Sequence, residues 1–430
     1  MTSNRFLILA GAGALLSSGA RPAAAQINAT PRSLGMGGAY VAVARGTEAL
    51  FQNPANLALR DTPRWSIFLP QLTVGATLVG YQAGDIADLL EGTDLPQARR
   101  DELLAQVPAA GTEGQLDVRL PLLALQVGRF AVGVSVSGVG DHSVGRDLMD
   151  LALNGYEEGR TDYNVGNTGG RSAAFFDGVA AYGFKTGALR LGAAGHYYRG
   201  QGLARTRMYE PRYDVDNRSI EVDYVGVRAE GGEGYGVDLG AALQLHPTLT
   251  LSGAVSNAFS RMRWSEDLRY RHLVIDSAGF DDIADLYDSY ESSDRPLDPS
   301  SASLTVLRTA EGLYDEAYFP ATLRVGAAWE PTRRTRFGAS YEDRLTPGIL
   351  AGRWERTAAV GIEQSLPLLA LRAGYATDLA KGSMLAAGLS LGPVDVGLAK
   401  LTNSTPADAS RDGWIGTVGL GFRGKAARRR

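Results

Sequence analysis

Side chains that commonly act in catalysis or bind metals are scarce in this sequence. Among 430 residues there is no cysteine, so the chain can form no disulfide bond, thiolate zinc site or thiol nucleophile. There are only four histidines, and their spacing along the chain is too wide for a local metal motif. They are His142, His196, His246 and His272. We therefore expect neither a metal site nor a cofactor.

Two glycine-containing motifs match patterns of enzymes or phosphate-binding proteins. Residues Gly388–Gly392 fit G-x-S-x-G, in which the serine stands on a sharp turn between a strand and a helix. Ser390, however, lies in an alternating, strand-like pattern. Residues Gly419–Gly424 fit G-x-G-x-x-G, which needs a helix directly after it, but the basic run Lys425–Arg430 follows. We interpret both matches as coincidental and expect that the protein is not an enzyme.

The first residues have the composition of a secretory signal. Arg5 is followed by an apolar stretch, Phe6–Ala20, and by the small residues Ala23–Ala25. The apolar stretch of about 15 residues is shorter than the roughly 20 that a membrane-spanning helix needs. The sequence therefore predicts a cleaved signal peptide over residues 1–25 and an exported protein.

Alternation of apolar with small or polar residues dominates the remainder. In Phe130–Ser137, phenylalanine and valines occupy one face, whereas alanine, glycine and serines occupy the other. Comparable patterns recur about sixteen times between residues 63 and 423, a period that is typical of strands. Helical periodicity is limited to Asp85–Val107 and Gly145–Asn154. The 54 glycines suggest closely packed strands or many tight turns.

The strand pattern favours a membrane barrel over a soluble β-sandwich, which also alternates. Several segments have about nine to eleven residues, the length of a tilted membrane strand. Their second face is polar enough for a barrel interior, and closure removes exposed sheet edges. We predict an all-β transmembrane antiparallel barrel of about sixteen strands over residues 63–423. Its expected location is the outer membrane of a Gram-negative-type bacterium, in contact with outer-membrane lipids.

Charge and loop lengths add to this prediction. The formal net charge of −4 argues against nucleic acid as a partner. Short turns alternate with long connections, as in outer-membrane barrels. The longest predicted loop, residues 265–318, is acidic from Ser265 to Ser300 and is either a solvated loop or a lid or divalent-cation site. Residues 424–430 form a basic C-terminal tail.

Charged residues on the predicted inner face are candidates for the lumen. They are Arg190, Arg324, Arg372, Asp238 and Glu330. The arginines could form a charged constriction or bind an anionic head group. The alternative that we favour is pairing with Asp238, Glu330, Glu363 or Asp395, because barrel interiors are commonly polar.

The residues before the strands do not alternate. They read "GMGGAYVA" from Gly35 to Ala42, and Asn53-Pro54-Ala55 follows. Thr47 is a candidate helix cap, and Asn53 is positioned to cap a turn that starts at Pro54. Irregular backbone cannot face lipid, but it can lie inside a barrel. We therefore assign residues 26–62 to a separate N-terminal segment.

This pattern resembles the N-terminal signature of the FadL-like outer-membrane transport superfamily, which includes the PorV-type barrels of type IX secretion. The chain departs from it at Arg45–Glu48, where an acidic pair is usual. The resemblance implies a barrel of about 14 strands (14–16) with the N-terminal segment as a hatch inside the lumen. The sixteen candidate strands reduce to fourteen if residues 63–74 and part of residues 203–229 lie outside the wall. The implied hatch or gate residues are Gly35, Met36, Gly37, Gly38, Tyr40, Asn53, Pro54 and Ala55.

The resemblance also implies two alternative functions. The first is passive transport of a hydrophobic, fatty-acid-like compound across the outer membrane, gated by the hatch. The second is a PorV-like surface anchor or cargo carrier that works with a secretion-system protein. We favour transport because of the hatch-like signature, whereas the acidic outer loop favours the carrier.

Overall fold

The structure is a computed structural model that describes residues 30–79, 96–109, 111–154, 160, 162–164, 168–208, 212–214, 219–276, 293–297, 304–346, 348, 350, 356–378, 382–402 and 411–424. The predicted signal peptide and most of the basic tail lie outside these residues. The helices are α1 Pro31–Gly35, α2 Ala49–Gln52, α3 Gln97–Gln106, α4 Arg146–Asn154 and α5 Leu304–Asp315, with 3₁₀ helices at Gly46–Glu48 and Pro54–Ala58.

The strands contain the alternating segments of the sequence. They are β1 Trp65–Phe68, β2 Leu72–Val79, β3 Thr112–Val127, β4 Phe130–Val144, β5 Gly169–Thr186, β6 Leu189–Met208, β7 Arg212–Asp214, β8 Ser219–Ala229, β9 Gly231–His246, β10 Leu249–Glu266, β11 Arg269–Asp276, β12 Arg295–Pro296, β13 Thr322–Trp329, β14 Thr335–Arg344, β15 Arg356–Ser365, β16 Leu369–Asp378, β17 Gly382–Leu391, β18 Val394–Thr402 and β19 Arg411–Arg423. All their pairings are antiparallel.

The sheet closes into a barrel because the first and last wall strands pair with each other. Both β1 and β2 lie between β3 and β19, so they are two pieces of one wall strand. Likewise β8 continues into β9, and β10 into β11. With these pieces joined, the wall has 14 strands, and the predicted fold class is confirmed.

The wall reaches fourteen strands by a different route from the one that the sequence suggested. Residues 63–74 do not lie outside the wall, because β1 and β2 are in it, separated by a break at Pro70, which has no backbone N–H to donate. Within residues 203–229, the described strands also remain in the sheet. The far end of β6 pairs with β8, and β8 pairs with β11, so these strands extend beyond β9 and β10.

The two faces of the wall differ as the alternation predicts. Along β18, exposed and buried residues alternate without a break. Its exposed residues Val394, Val396 and Leu398 point outward, whereas Asp395 and Ala399 are buried inside. An apolar outer face with a polar inner face is the arrangement of a membrane barrel.

The two ends of the barrel also differ. At one end, adjacent strands are joined by short turns at residues 128–129, 187–188, 247–248, 330–334, 366–368 and 392–393. The long connections, with α3, α4 and α5, lie at the other end. The predicted loop 265–318 is in part regular, because β10 reaches Glu266 and β11, β12 and α5 follow. Much of its acidic part, residues 277–292 and 298–303, lies outside the described residues.

Candidate functional site

Residues 30–62, here called the N-terminal segment, lie inside the barrel near the short-turn end. Its turns are capped by its own side chains. Thr30 Oγ1 accepts the Ser33 N–H at 3.2 Å, and Asn53 Oδ1 accepts the Ala55 N–H at 2.9 Å, as predicted for Asn53. Thr47 is not a cap, because it lies within the 3₁₀ helix and its N–H donates to Ser66 Oγ of the wall.

Wall glycines make room for this segment. On each of these glycines, an added Cβ would lie at 3.0 Å or less from an atom of the N-terminal segment. They are Gly133, Gly183, Gly192, Gly240, Gly326, Gly338, Gly361, Gly374, Gly388 and Gly397, one each on β4, β5, β6, β9, β13, β14, β15, β16, β17 and β18. We call this set the glycine belt.

On two sides of the barrel, belt glycines of neighbouring strands are paired with each other. Gly338 is paired in register with Gly361, and Gly361 with Gly374. On the other side of the barrel, Gly192 is paired with both Gly183 and Gly240. Backbone therefore packs directly on backbone around much of the lumen, which only glycine permits.

The predicted gate residues Gly35, Met36, Gly37 and Gly38 lie against β15–β17. A Cβ on Gly35 would be 2.8 Å from the Cα of Gly388. Gly37 and Gly38 both have positive φ, of 66° and 86°. A Cβ on Gly37 would also be 2.8 Å from the Tyr375 backbone nitrogen, whereas one on Gly38 would meet nothing.

The predicted Asn53-Pro54-Ala55 motif joins the segment to the opposite wall. Asn53 Nδ2 donates to the carbonyl oxygens of Ala241 and Gly253, at 3.0 and 3.1 Å. Pro54 and Ala55 pack on Gly192. These bonds connect β9, β10 and the segment at one point.

A buried carboxylate, Glu48, anchors the segment to the last strand. Tyr40 Oη donates to Glu48 Oε2 at 2.7 Å, and Arg423 Nη2 donates to the same oxygen at 2.6 Å. Burial raises the pKa of the Tyr40 hydroxyl, and the charge of Glu48 raises it further, so Tyr40 stays a neutral donor. Arg32, 3.9 Å from Glu48, also pairs with Asp395 of β18 at 3.0 Å.

Arg45 forms a second anchor. Its Nη1 donates to the carbonyl oxygens of residues 42, 43 and 44, so it stabilises the turn before the 3₁₀ helix. Its Nε lies 2.9 Å from Asp61, and its Nη2 lies 3.9 Å from Glu330. Glu330 therefore contacts both the N-terminal segment and Arg336, at 3.0 Å.

Beyond the segment lies a cavity of about 60 Å³, here called the chamber. Leu50 and Phe51 of the N-terminal segment form part of its lining, and Phe319, from the chain between α5 and β13, forms another part. Its other lining residues are Val118, Arg119, Ser137, Gly138, Val139, Phe175, Asp177, His196, Tyr198, Asp238, Ser256, Asn257, Pro320, Thr322 and Arg324.

The chamber contains a chain of charged groups. His196 Nδ1 lies 2.9 Å from Asp177, and its Nε2 lies 3.3 Å from Asp238. Asp238 also accepts the Asn257 N–H at 2.7 Å. That N–H faces inward because Asn257 has a left-handed φ of 51° within a register shift between β9 and β10.

Two arginines also line the chamber. Arg324 donates to Glu342 at 2.7 Å and to Ser256 at 2.8 Å. The Arg119 guanidinium lies 5.0 Å from the ring centroid of Phe51 in the N-terminal segment. The chamber wall and the segment are therefore in direct contact.

An aromatic side chain covers the chamber. The Phe319 ring stacks on Tyr198 at 4.0 Å and meets Phe175 edge-on at 4.7 Å. The chain around it is held by Ser260 Oγ, which donates to the Phe319 carbonyl, and by Trp264 Nε1, which donates to that of Ala317.

The predicted lumen charges have different surroundings from one another. Arg372 pairs with Glu363 at 2.6 Å and Asp395 at 3.7 Å, two of the partners expected. Its Nη2 also donates to Ser390, the serine of the G-x-S-x-G match, which lies in β17. Arg324 pairs with Glu342, which was not expected.

Arg190 does not form the ion pair that we expected. Its Nη1 donates to the carbonyl oxygens of Gly187 and Leu189, and it has no carboxylate partner among the described residues. Arg190 is the second residue of β6, whereas Asp238 on the neighbouring strand β9 is paired with Ala194, four residues further along β6. No motif or spacing in the sequence indicates a role for Asp177 or Phe319, and His196 stands out only as one of four widely spaced histidines.

Comparisons with known proteins place this geometry in a structural context. Residues 191–399 match a protein family described as a family of unknown function, DUF5723. No curated protein matches the sequence significantly. Within the described residues, no helix has the length and apolar character needed to cross a membrane.

Solved structures with the same fold include three transporters or channels. The Ralstonia pickettii toluene transporter TbuX is 13% identical, with 92% of this chain and 98% of that chain covered and a TM-score of 0.51. A mutant of the monoaromatic hydrocarbon channel TodX is 12% identical, with 92% of this chain and 99% of that chain covered and a TM-score of 0.56. A Pseudomonas aeruginosa FadL homologue is 13% identical, with 94% of this chain and 99% of that chain covered and a TM-score of 0.51. The chain therefore has the fold of the FadL-like transporters, as its N-terminal signature predicted.

Proposed function

We propose that the protein is an outer-membrane barrel through which a hydrophobic compound passes without an energy source, and that the N-terminal segment gates this passage. The observation that supports gating best is the glycine belt, because it seats the segment across the lumen. Two of the similar structures, a toluene transporter and a monoaromatic hydrocarbon channel, support an apolar substrate.

The apolar outer surface supports the membrane location. Large apolar side chains such as Trp414, Leu385 and Phe259 are exposed on the outer face of the wall, at 52%, 69% and 67%. In water such a band would be costly, whereas lipid accommodates it. Outer-membrane lipids are therefore proposed as its surroundings.

The contacts of the segment suggest how gating works. Its fit against the glycine belt leaves no room for a ligand between backbone and wall. Its charged anchors to the wall, Glu48 with Arg423 and Arg32 with Asp395, lie near the short-turn end. For a ligand to pass, the segment therefore has to shift as these anchors open, because the ligand cannot pass around a fixed segment.

Uptake by whole cells tests this proposal. The protein is expressed in a Gram-negative host that lacks its own FadL-type transporter, and uptake of labelled toluene and oleate is measured. Deletion of Gly35–Gly38 is expected to change the uptake rate by about tenfold or more, since it removes the close contacts with β15–β17.

A matched pair of single variants controls for folding. Gly37→Val and Gly38→Val share a positive φ and hence a similar backbone strain, but only position 37 is crowded. We expect Gly37→Val to alter uptake much more than Gly38→Val. Equal uptake in all variants would contradict gating, and co-purification of a stoichiometric protein partner would support the carrier alternative instead.

A further inference from the structure

We propose that the chamber is a binding site for a small aromatic carboxylate, whose ring takes the place of Phe319 and whose carboxylate faces Arg324 and Arg119. This inference deepens the proposed transport function and rests on it for the route by which the ligand arrives. It separates this chain from a channel for plain hydrocarbons, because hydrocarbons cannot satisfy charged groups.

The place for a ring is already formed. Tyr198 and Phe175 present one stacked and one edge-on surface, the two arrangements that aromatic rings prefer. The side chain that fills this place, Phe319, does not come from the wall but from the chain at the long-connection end. A foreign ring can therefore replace Phe319 without any change in the barrel strands.

The space beside Phe319 has the size of a polar group. A cavity of about 60 Å³ holds on the order of four waters, whereas benzene occupies a cavity of roughly 150 Å³ in a known case. The present cavity thus accepts a carboxylate but no ring. An aromatic acid fits only when its ring displaces Phe319.

The charges of the lining favour an anion. Asp177 and Asp238 both face His196, and Asp238 also accepts the Asn257 N–H, so the carboxylates of the chamber are engaged within it. Arg324 and Arg119 bring two guanidinium groups to the same small volume. Arg324 is 6% exposed and already donates to Glu342 and Ser256, so a ligand carboxylate shares this guanidinium with Glu342 and binds it by charge-assisted hydrogen bonds.

Binding to the purified full-length protein in detergent tests the proposal. The probes are benzoate, toluene as a ring without carboxylate, and acetate as a carboxylate without ring. Calorimetry gives the dissociation constants, and fluorescence of Trp264, which packs in the same cluster as Phe319, reports displacement of that ring. We expect benzoate to bind at least about tenfold more tightly than toluene or acetate.

Two variants separate the ring from the charge. Phe319→Ala is expected to strengthen benzoate binding by about tenfold, because no side chain needs to leave. Arg324→Gln is expected to abolish the preference for benzoate over toluene, and Arg324→Lys to restore it in part. The controls are Phe259→Ala and Arg356→Gln, which alter exposed side chains on β10 and β15 and should leave binding unchanged.

The outcomes distinguish the two proposals. The aromatic-acid site is overturned if benzoate binds no more tightly than toluene in both the native protein and Phe319→Ala. It is also overturned if Arg324→Gln leaves benzoate binding unchanged. If toluene or oleate uptake persists in that case, the transport proposal stands. If benzoate binds as expected but no apolar compound is taken up, the site stands and the transport proposal fails.

Discussion

The lumen has two layers that are built in opposite ways. In the layer near the short turns, the wall has glycines, and the N-terminal segment packs backbone against backbone. In the layer of the chamber, the wall has long charged side chains such as His196 and Arg324, and a cavity remains. Glycine makes a close and rigid seat, whereas polar side chains at the same wall leave a space that a ligand can enter.

The two layers also differ in what it takes to open them. Phe319 is held by ring contacts and two side-chain hydrogen bonds, and one ring can be exchanged for another. The segment is held by many backbone contacts around the barrel, so it shifts as a unit. We therefore expect variants of the glycine belt to have larger effects than variants of the anchors.

The largest expected effect comes from filling the belt. Gly374→Val places a side chain where the Met36 and Gly37 backbone now lies, so the segment is displaced. Since overpacking against backbone cannot be relieved by a rotamer change, we expect a loss of roughly 3 kcal/mol or more in the free energy of unfolding. Single-channel conductance in planar bilayers should rise at the same time.

Gly195→Val is the control for this variant. Gly195 lies on β6, and a Cβ there would meet no atom within 4 Å. Equal conductance and thermal stability in the two variants would break the comparison, because the belt would then not seat the segment.

These layers also separate what the sequence predicts from what it does not. Alternation predicts that Gly192, Gly240 and Asp238 point to the same face, and it predicts the barrel. It does not reveal what lies over the glycines, because the segment that covers them has no periodicity of its own. Of the 54 glycines in the sequence, the N-terminal segment explains the ten of the glycine belt, and within the segment only the capping by Asn53 follows from the local sequence.

The chamber was beyond sequence reasoning for a different reason. The contact of His196 with Asp177 and Asp238 depends on the register of three strands, and a one-residue slip would turn any of them outward. Asn257 reaches Asp238 only because of a local register shift, which the pattern does not specify. The partner of Arg324, Glu342, follows from register in the same way, and Phe319 comes from a connection without a pattern.

An intermediate effect is expected from the Glu48 anchor. Glu48→Gln removes the charge that Arg423, Arg32 and Tyr40 share, while the glycine belt stays intact. Leaving these buried and half-buried groups without their carboxylate should cost about 2 kcal/mol in the free energy of unfolding. It should also make conductance openings more frequent, without the permanent rise expected for Gly374→Val.

Thermal unfolding and bilayer recordings measure this difference. The control is Glu102→Gln, because Glu102 on α3 pairs with Arg99 and its side chain is 60% exposed. If Glu48→Gln raised the conductance as much as Gly374→Val, the polar anchors rather than the glycine belt would hold the segment in place. The proposed difference between the belt and the anchors would then be wrong.

The smallest expected effect concerns pH and the pair of Arg45 with Asp61. Burial acts to raise the pKa of Asp61, but the charge of Arg45 outweighs it and holds this pKa below its ordinary value. Because the pKa is lower in the folded state, the stabilisation is fully present above the ordinary aspartate value, about 4, and is lost as the pH falls through the folded-state value. Asp61→Asn should therefore lower the free energy of unfolding by about 1 kcal/mol at neutral pH and remove part of the loss of stability on acidification. Thermal unfolding of both proteins between neutral and strongly acidic pH measures this difference. Parallel stability curves would mean that this pair does not contribute to the stability of the folded N-terminal segment.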